Sequence, residues 1–443
     1  MERFFRLKEL GTNIRTELVA GLTTFMTMAY ILVVNPIILG GAGLEFNAVF
    51  LATALAAGIF TIIMGLYVNL PVALAPGMGL NAYFATVVAS GEGITPEVAL
   101  TAVFISGIIF IILTLTQVRQ MLVTAVPDSL KFAITAGIGL FITIIGLKNS
   151  GIMTILDGDV IALGSITDPN VWLTIVGIFL IAILMVLRVP GAILLGIILT
   201  TIVAALTGNV GSIGSDAMWV PDFSQLNFWH FDFQGVFEVG LITVVLTFTF
   251  VELFDTFGTL VGTATRAGVD TNSGEGKKKI GKAMLVDAVS VSGGAVLGTS
   301  TVTAYIESSS GIAQGGRSGL TAVTVGVLFL LSLFISPIVG LVPGAATSAA
   351  LVIVGALMMQ SIRNINFTDY VYAIPAFLMI VIMPFTYNIA NGISFGIVSY
   401  VILALTAKLT GKKAEDGGEY KIHWLMWVLA VLILARYIFM GGE

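Results

Sequence analysis

Two carboxylates stand where an apolar run should exclude them. Glu252 and Asp255 lie in LTFTFVELFDTFGTLVGT, a stretch with no other charge, and their i, i+3 spacing places both on one face of a helix, near Thr256 and Thr259. A charged side chain such as Asp costs roughly 2.5–3.5 kcal/mol at mid-bilayer, so two on one face point to function. Glu307, in TAYIESSSG, brings a third acid just past a Gly/Ser/Thr-rich segment; the plain alternative is an exposed Glu at a helix start. No Lys or Arg accompanies these acids inside their spans, so the chemistry on offer is acceptance of N–H donors or of a proton, and an anion would be repelled. Acids crowded into a low-dielectric cavity cannot all ionise, so one of them can carry a proton without any histidine.

The elements that must position these acids are helices in lipid. The 443 residues are 57% hydrophobic and 10% charged, and the mean hydropathy is +1.04. Apolar runs of roughly 17–25 residues, long enough to cross the hydrocarbon layer, recur about fourteen times between residues 17 and 440. A net charge of −5 and the lack of long basic runs exclude a nucleic-acid partner, and the absence of Cys excludes disulfides, thiolate metal sites and a thiol nucleophile. No nucleophile with its base and no H-E-x-x-H helix is present, so an enzyme is not expected. His230 and His423 fall in polar loop sequence and read as surface residues. Asp287, in KAMLVDAVSVSGG, is within a span but near Lys277, Lys278, Lys279 and Lys282, where an ion pair would account for it equally well.

Basic residues mark cytoplasmic loops, here at Arg3, Arg6, Lys8 and Arg15, then Arg119, Arg188, Arg266 with the lysines at 277–282, Arg317 and Arg363. The long loops near 148–169 and 208–235 carry Asp157, Asp159, Asp168, Asp216 and Asp222 against Lys148, and the second also holds Trp219, Trp229 and His230. An N-terminus inside, retained as a polar leader, fits this alternation.

Internal similarity implies two inverted copies with a site between them at mid-membrane. Asn81-Ala82-Tyr83 echoes as Thr303-Ala304-Tyr305, and Val126-Pro127 as Val342-Pro343, each pair preceding comparable sequence. The copies are placed at about 15–210 and 236–408 with seven spans each, leaving 424–439 over, a segment that either crosses or lies at the interface. Each copy also contains a Gly/Pro/Ser/Thr-rich break, Pro71 to Asn81 and Gly293 to Ser310. Irregular backbone at membrane depth is tolerated only where protein or water satisfies it, so paired breaks mark a cavity, although small residues also serve tight helix packing. Half-helices starting there would aim N–H groups at a ligand. Asn81 reads either as a ligand contact or as a helix cap, and Thr27, Tyr30 and Asn35 on the first span could line the same cavity.

PGMGLNAYF, FVELFDTFGTL and TSTVTAYIESSSGIAQGGRSGL resemble, in order, the signature stretches of the AzgA-like purine permeases, a branch of the nucleobase-cation symporter-2 superfamily. The similarity runs over almost the whole chain. It implies an all-α polytopic fold of seven plus seven inverted spans, with short strands opening spans 3 and 10. It implies a cytoplasmic N-terminus (1–16), core-domain segments 17–120 and 236–337, gate-domain segments 121–210 and 338–408, and a polar linker with an extra apolar segment (409–443). It implies import of hypoxanthine, guanine or adenine with a proton across the cell membrane, no cofactor beyond that proton, and a possible homodimer. Glu252 and Glu307 would bind the base, with Asn81, Gly79, Thr303 and Ser308 lining the pocket, and Asp255 or Glu252 would serve proton coupling. The uracil and xanthine branches often place the second polar group of span 8 four residues after its Glu, whereas Asp255 comes three after Glu252, which leaves their division of labour open. A uracil or xanthine symporter, a sulfate- or bicarbonate-type anion permease on the same fold, and a cation channel are the alternatives.

Overall fold

The computed structural model describes residues 2–89, 94–116, 125–156, 160–210, 220–238, 242–270, 273–413, 420 and 422–439. Arg119, Asp157, Asp159, Asp216, Trp219 and the side chain of Asp255 lie outside the described residues.

The first copy runs through α1 (Ile14–Met28), α2 (Ile31–Gly40), α3 (Phe46–Ile63) with a π-helical turn at Met64–Val68, strand β1 (Leu74–Pro76), α4 (Met78–Ala89), α5 (Pro96–Leu115), α6 (Asp128–Asn149), a hairpin of β2 (Met153–Leu156) and β3 (Val160–Leu163), α7 (Pro169–Val186) and α8 (Ala192–Leu206). After α9 (Phe233–Glu238), the second copy runs through α10 (Ile242–Arg266), α11 (Gly274–Leu297), strand β4 (Val302–Ala304), α12 (Ser308–Ala313), α13 (Gly319–Leu331), α14 (Ser336–Val339), α15 (Gly344–Met358), α16 (Tyr370–Phe385) and α17 (Ile389–Leu409), with α18 (Trp424–Phe439) beyond it. Among the described residues nine helical stretches are long and apolar enough to cross a membrane, and shorter apolar helices include Met78–Ala89 and Ala192–Leu206. The chain is thus a multi-pass, mostly helical protein with two copies of a seven-span pattern, each with a strand and a short helix in its third place.

Contacts divide the chain into two units, Met1–Leu115 with Ile145–Ile353, and Thr116–Ile144 with Val354–Glu443. The first unit holds both strands. Asn69, in the left-handed region at φ 56, ends the π turn, and Gly298, at φ 90, ends α11; a left-handed residue there stops a helix. Pro71 and Pro76 then withhold backbone donors, so the chain runs extended. β1 and β4 pair antiparallel, Leu74 opposite Ala304, Ala75 opposite Thr303 and Pro76 opposite Val302. Every residue of both strands is buried. Extended backbone in lipid needs partners, and the two breaks supply them to each other.

The breaks are shorter than the sequence indicates. α11 continues through Gly293 to Leu297, and α4 resumes at Met78, so the irregular stretches are 69–77 and 298–307. The Asn-Ala-Tyr echo is likewise out of register: Asn81 lies one turn inside α4, while Thr303 is in β4. By strand register Gly77 corresponds to Tyr305 and Gly79 to Glu307, whereas by helix start Gly77 stands just before α4 and Glu307 just before α12. Short Ala-rich triplets match by composition, whereas Val-Pro marks a true helix start in both copies, at Asp128 and at Gly344.

In the second unit the side chain of Asp369 accepts from Val371 N (2.9 Å), capping α16, and from the Tyr420 hydroxyl (2.7 Å). The Tyr437 hydroxyl reaches Asn391 Oδ1 (2.8 Å) near the start of α17. The segment 424–439 therefore lies antiparallel along α17, with its far end at that helix's first turn. Sixteen residues extend about 24 Å at 1.5 Å each, so α18 runs along most of the length of α17. The hairpin of β2 and β3 falls in a loop read from sequence only as acidic.

Candidate functional site

Each strand is gripped by polar side chains from the helix before it. On the first copy, the Thr61 hydroxyl on α3 donates to Leu74 O (3.0 Å) and accepts from Leu74 N (2.9 Å). On the second, the Ser290 hydroxyl donates to Val302 O (2.7 Å) and the Ala304 amide donates to Asp287 Oδ1 (3.1 Å). Asp287 is fully buried against β4. Of the two readings that the sequence left open for Asp287, the structure shows its carboxylate accepting from the strand, while Lys282 sits 5.3 Å over the Tyr67 ring. The strands are also closed at both ends, by Gly77 N to Thr301 O (2.9 Å) and Tyr305 N to Ala73 O (3.0 Å).

Against this frame stand the acids. Glu252, 1% exposed, accepts from the Thr256 hydroxyl one turn on (3.0 Å), and Thr256 Oγ1 lies 2.7 Å from Thr303 Oγ1 on β4. A helix face, a hydroxyl relay and the strand are thereby one unit. Glu307 lies at the start of α12 and accepts from the Tyr30 hydroxyl on the first span (3.0 Å). Thr27 and Ser310 bridge α1 and α12 at 2.9 Å. The structure thus links Glu252 through Thr256 to Thr303 on β4, and Glu307 follows that strand by three residues at the start of α12. It also shows what spacing did not: Tyr83 and Phe248, both buried, meet edge to face at 5.0 Å, and Phe248 is one helical turn before Glu252. An aromatic residue at i−4 from a buried acid was the legible signal.

Other expected contacts are placed differently. Asn81 is fully buried, donating to Asn35 Oδ1 (2.6 Å) and accepting from the Ser300 hydroxyl, while Asn35 Nδ2 donates to Thr53 (2.7 Å) and Thr299 (2.9 Å). Its amide ties three helices to the start of the second break and does not cap α4. Ser308, also buried, accepts from Ala73 N (3.0 Å), joining the second half-helix to the first break. Gly79 is buried in the first turn of α4.

Sequence reasoning missed Glu17. Fully buried in the first turn of α1, it accepts from Arg317 N (2.8 Å), Ser318 N (3.2 Å) and Oγ (2.7 Å), and Thr321 N (3.2 Å) and Oγ1 (2.6 Å), so one carboxylate caps α13 from across the chain. Arg317 turns its guanidinium to Ile312 O (2.6 Å) and Gly316 O (2.8 Å) at the end of α12.

The Permease family model matches residues 15–395. The adenine permease AdeP of Escherichia coli is 44% identical over 434 residues, covering 98% of this chain and 96% of that protein. The guanine/hypoxanthine permease PbuO of Bacillus subtilis is 45% identical over 438 residues, covering 98% and 99%. The transmembrane domain of a cyanobacterium bicarbonate transporter, BicA, matches in structure with a TM-score of 0.61 at 17% identity, covering 88% of this chain and 97% of that one, a likeness of fold alone. With three motifs in order, a family match across most of its length and relatives aligned nearly end to end, the chain is no enzyme but a member of the Permease family, in the AzgA-like branch of the nucleobase-cation symporter-2 superfamily.

Proposed function

We propose that the chain imports purine nucleobases, hypoxanthine, guanine or adenine, together with a proton, across the cell membrane. The observation that carries this is the tie from buried Glu252 through Thr256 to Thr303 on β4, the strand that Glu307 follows by three residues, with the Tyr83 and Phe248 ring pair one helical turn before Glu252. A purine presents adjacent N–H donors that a carboxylate can accept in pairs, and its ring faces suit an aromatic wall. The relatives named as adenine and guanine/hypoxanthine permeases support the same substrate class.

In this reading Glu307 and Glu252 accept the N–H groups of the base. The Tyr30 and Thr256 hydroxyls hold the two acids in place, and the proton rides on Glu252 or on Asp255 three residues later. Charge balance favours joint loading, because a neutral base accepting one proton's company leaves fewer bare carboxylates in low dielectric. Transport follows by alternating access: the segments 17–120 and 236–337 carry the site past the segments 121–210 and 338–408, with the N-terminus cytoplasmic. The paired breaks and the Glu17 clamp support movement of the core segments as one body.

The test is uptake of radiolabelled hypoxanthine, guanine and adenine in cells lacking purine import, with and without a proton uncoupler. Saturable uptake that the uncoupler abolishes is expected. Uptake indifferent to the uncoupler removes the coupling, and no uptake of any purine removes the substrate class.

A further inference from the structure

A second aromatic and acidic feature lies away from the strands. Residues 227–232 are stapled over the end of α11: Trp229 N donates to Val296 O (2.9 Å), and Asp232 N donates to the Thr101 hydroxyl (2.8 Å). A Cβ at Gly298 would come within 3.0 Å of Asn227 O, so this segment rests on the turn that leads into β4. The opposite end of α11 carries Glu275, which pairs with Arg6 (3.3 Å). At 1.5 Å per residue the two ends of this 24-residue helix are about 36 Å apart. Residues 227–232 therefore stand on the membrane face opposite the N-terminal segment.

There, Thr95, Glu97, Phe228, Trp229, His230 and Asp232 line a cleft of about 450 Å³, within the size range of small-molecule sites. Phe104, Trp229, Phe231 and Phe233 form a connected ring cluster with centroids 4.8–6.3 Å apart. Trp229 nevertheless keeps 55% of its surface exposed and sits at φ 57. A bulky residue pays strain in the left-handed region. An interfacial belt tryptophan needs none of this; it lies on a regular helix among lipid headgroups.

We propose that this cleft is a vestibule subsite that captures the planar, N–H-rich heterocycle before it reaches the central acids. The proposal rests on the purine reading above. An open aromatic face stacks the ring, and Glu97 offers a carboxylate to its N–H edge. Trp229 is hydrogen-bonded to Val296 near the end of α11, the helix that leads into β4.

Trp229→Gly is the decisive variant, because glycine keeps the left-handed turn without strain. Together with Glu97→Gln it should raise the KM for purine uptake about five- to tenfold while maximal uptake is kept, the size expected for one lost stacking contact. An unchanged KM in both variants overturns the subsite. A second measurement separates it from the central site: in purified Glu307→Gln protein with Trp172, Trp219, Trp424 and Trp427 replaced by Phe, hypoxanthine should still quench Trp229 fluorescence saturably. No quenching while the unaltered chain transports purines overturns the vestibule alone. Quenching retained while the unaltered chain itself transports no purine supports the vestibule and overturns the transport reading alone.

Discussion

The two breaks are built alike and equipped differently. Each is a left-handed stop, three paired residues and a half-helix, and each is gripped by polar groups from the preceding helix, Thr61 in one case and Ser290 with Asp287 in the other. Yet the residue that opens the half-helix is Gly77 in the first copy and Glu307 in the second. The first strand is Leu-Ala-Pro; the second presents Thr303 to the Thr256 hydroxyl. The two copies thus share one scaffold, and their side chains differ: polar and acidic groups gather at the second break, small and apolar ones at the first. Asn81 fits that division, since its amide serves Asn35 and Ser300 within the first copy's contact with the second.

The sharpest way to break this asymmetry is Glu307→Gln, which should weaken substrate binding by about 3 kcal/mol, the upper end of the range for a hydrogen bond to a charged group. Uptake in that variant close to the unaltered chain, at equal membrane abundance, would show that the second break is no more chemical than the first. Next in size is Thr256→Val, which strips Glu252 of its hydroxyl donor and should cost about 1.5–3 kcal/mol of binding, read as a raised KM in uptake assays. Gly77→Ala sharpens the comparison from the other side, because the added methyl would lie 2.8 Å from Thr303 Cγ2. It should lower uptake by pushing on the second strand, and a compensating Thr303→Ser should restore part of the loss. Asn81→Ala should lower thermal stability by about 1–3 kcal/mol, the penalty for orphaned buried partners, with relative uptake of the three purines unchanged; altered selectivity would make it a ligand contact after all. The smallest effect is expected for Thr61→Val, about 1 kcal/mol for one hydroxyl of a strand held elsewhere by its partner, measured by thermal unfolding in detergent.

Much of this was legible in the sequence because lipid enforces simple rules. Acids in an apolar run had to be buried, and Glu252 at 1% exposure obeys. Irregular backbone had to find partners, and β1 finds β4. What remained hidden depends on contacts between distant residues: Glu17 meets Arg317 and Thr321 some 300 positions away, and Tyr30 meets Glu307 across 277. No local spacing encodes such a meeting. The Asn-Ala-Tyr echo misled for a related reason, since a match of two letters in three carries less information than the geometry of a helix stop. The hairpin of β2 and β3 was lost in the membrane signal, as its short alternation stands in a loop between long apolar runs.

The carboxylate of Glu17 has a consequence for cutting the chain. It is sunk under a helix of the second copy, where Ser318 and Thr321 donate to it. Two polypeptides cut in the segment between the copies would each expose what the other hides, one a buried acid, the other a helix start with its amides stripped of their cap. The halves should therefore function only when produced together.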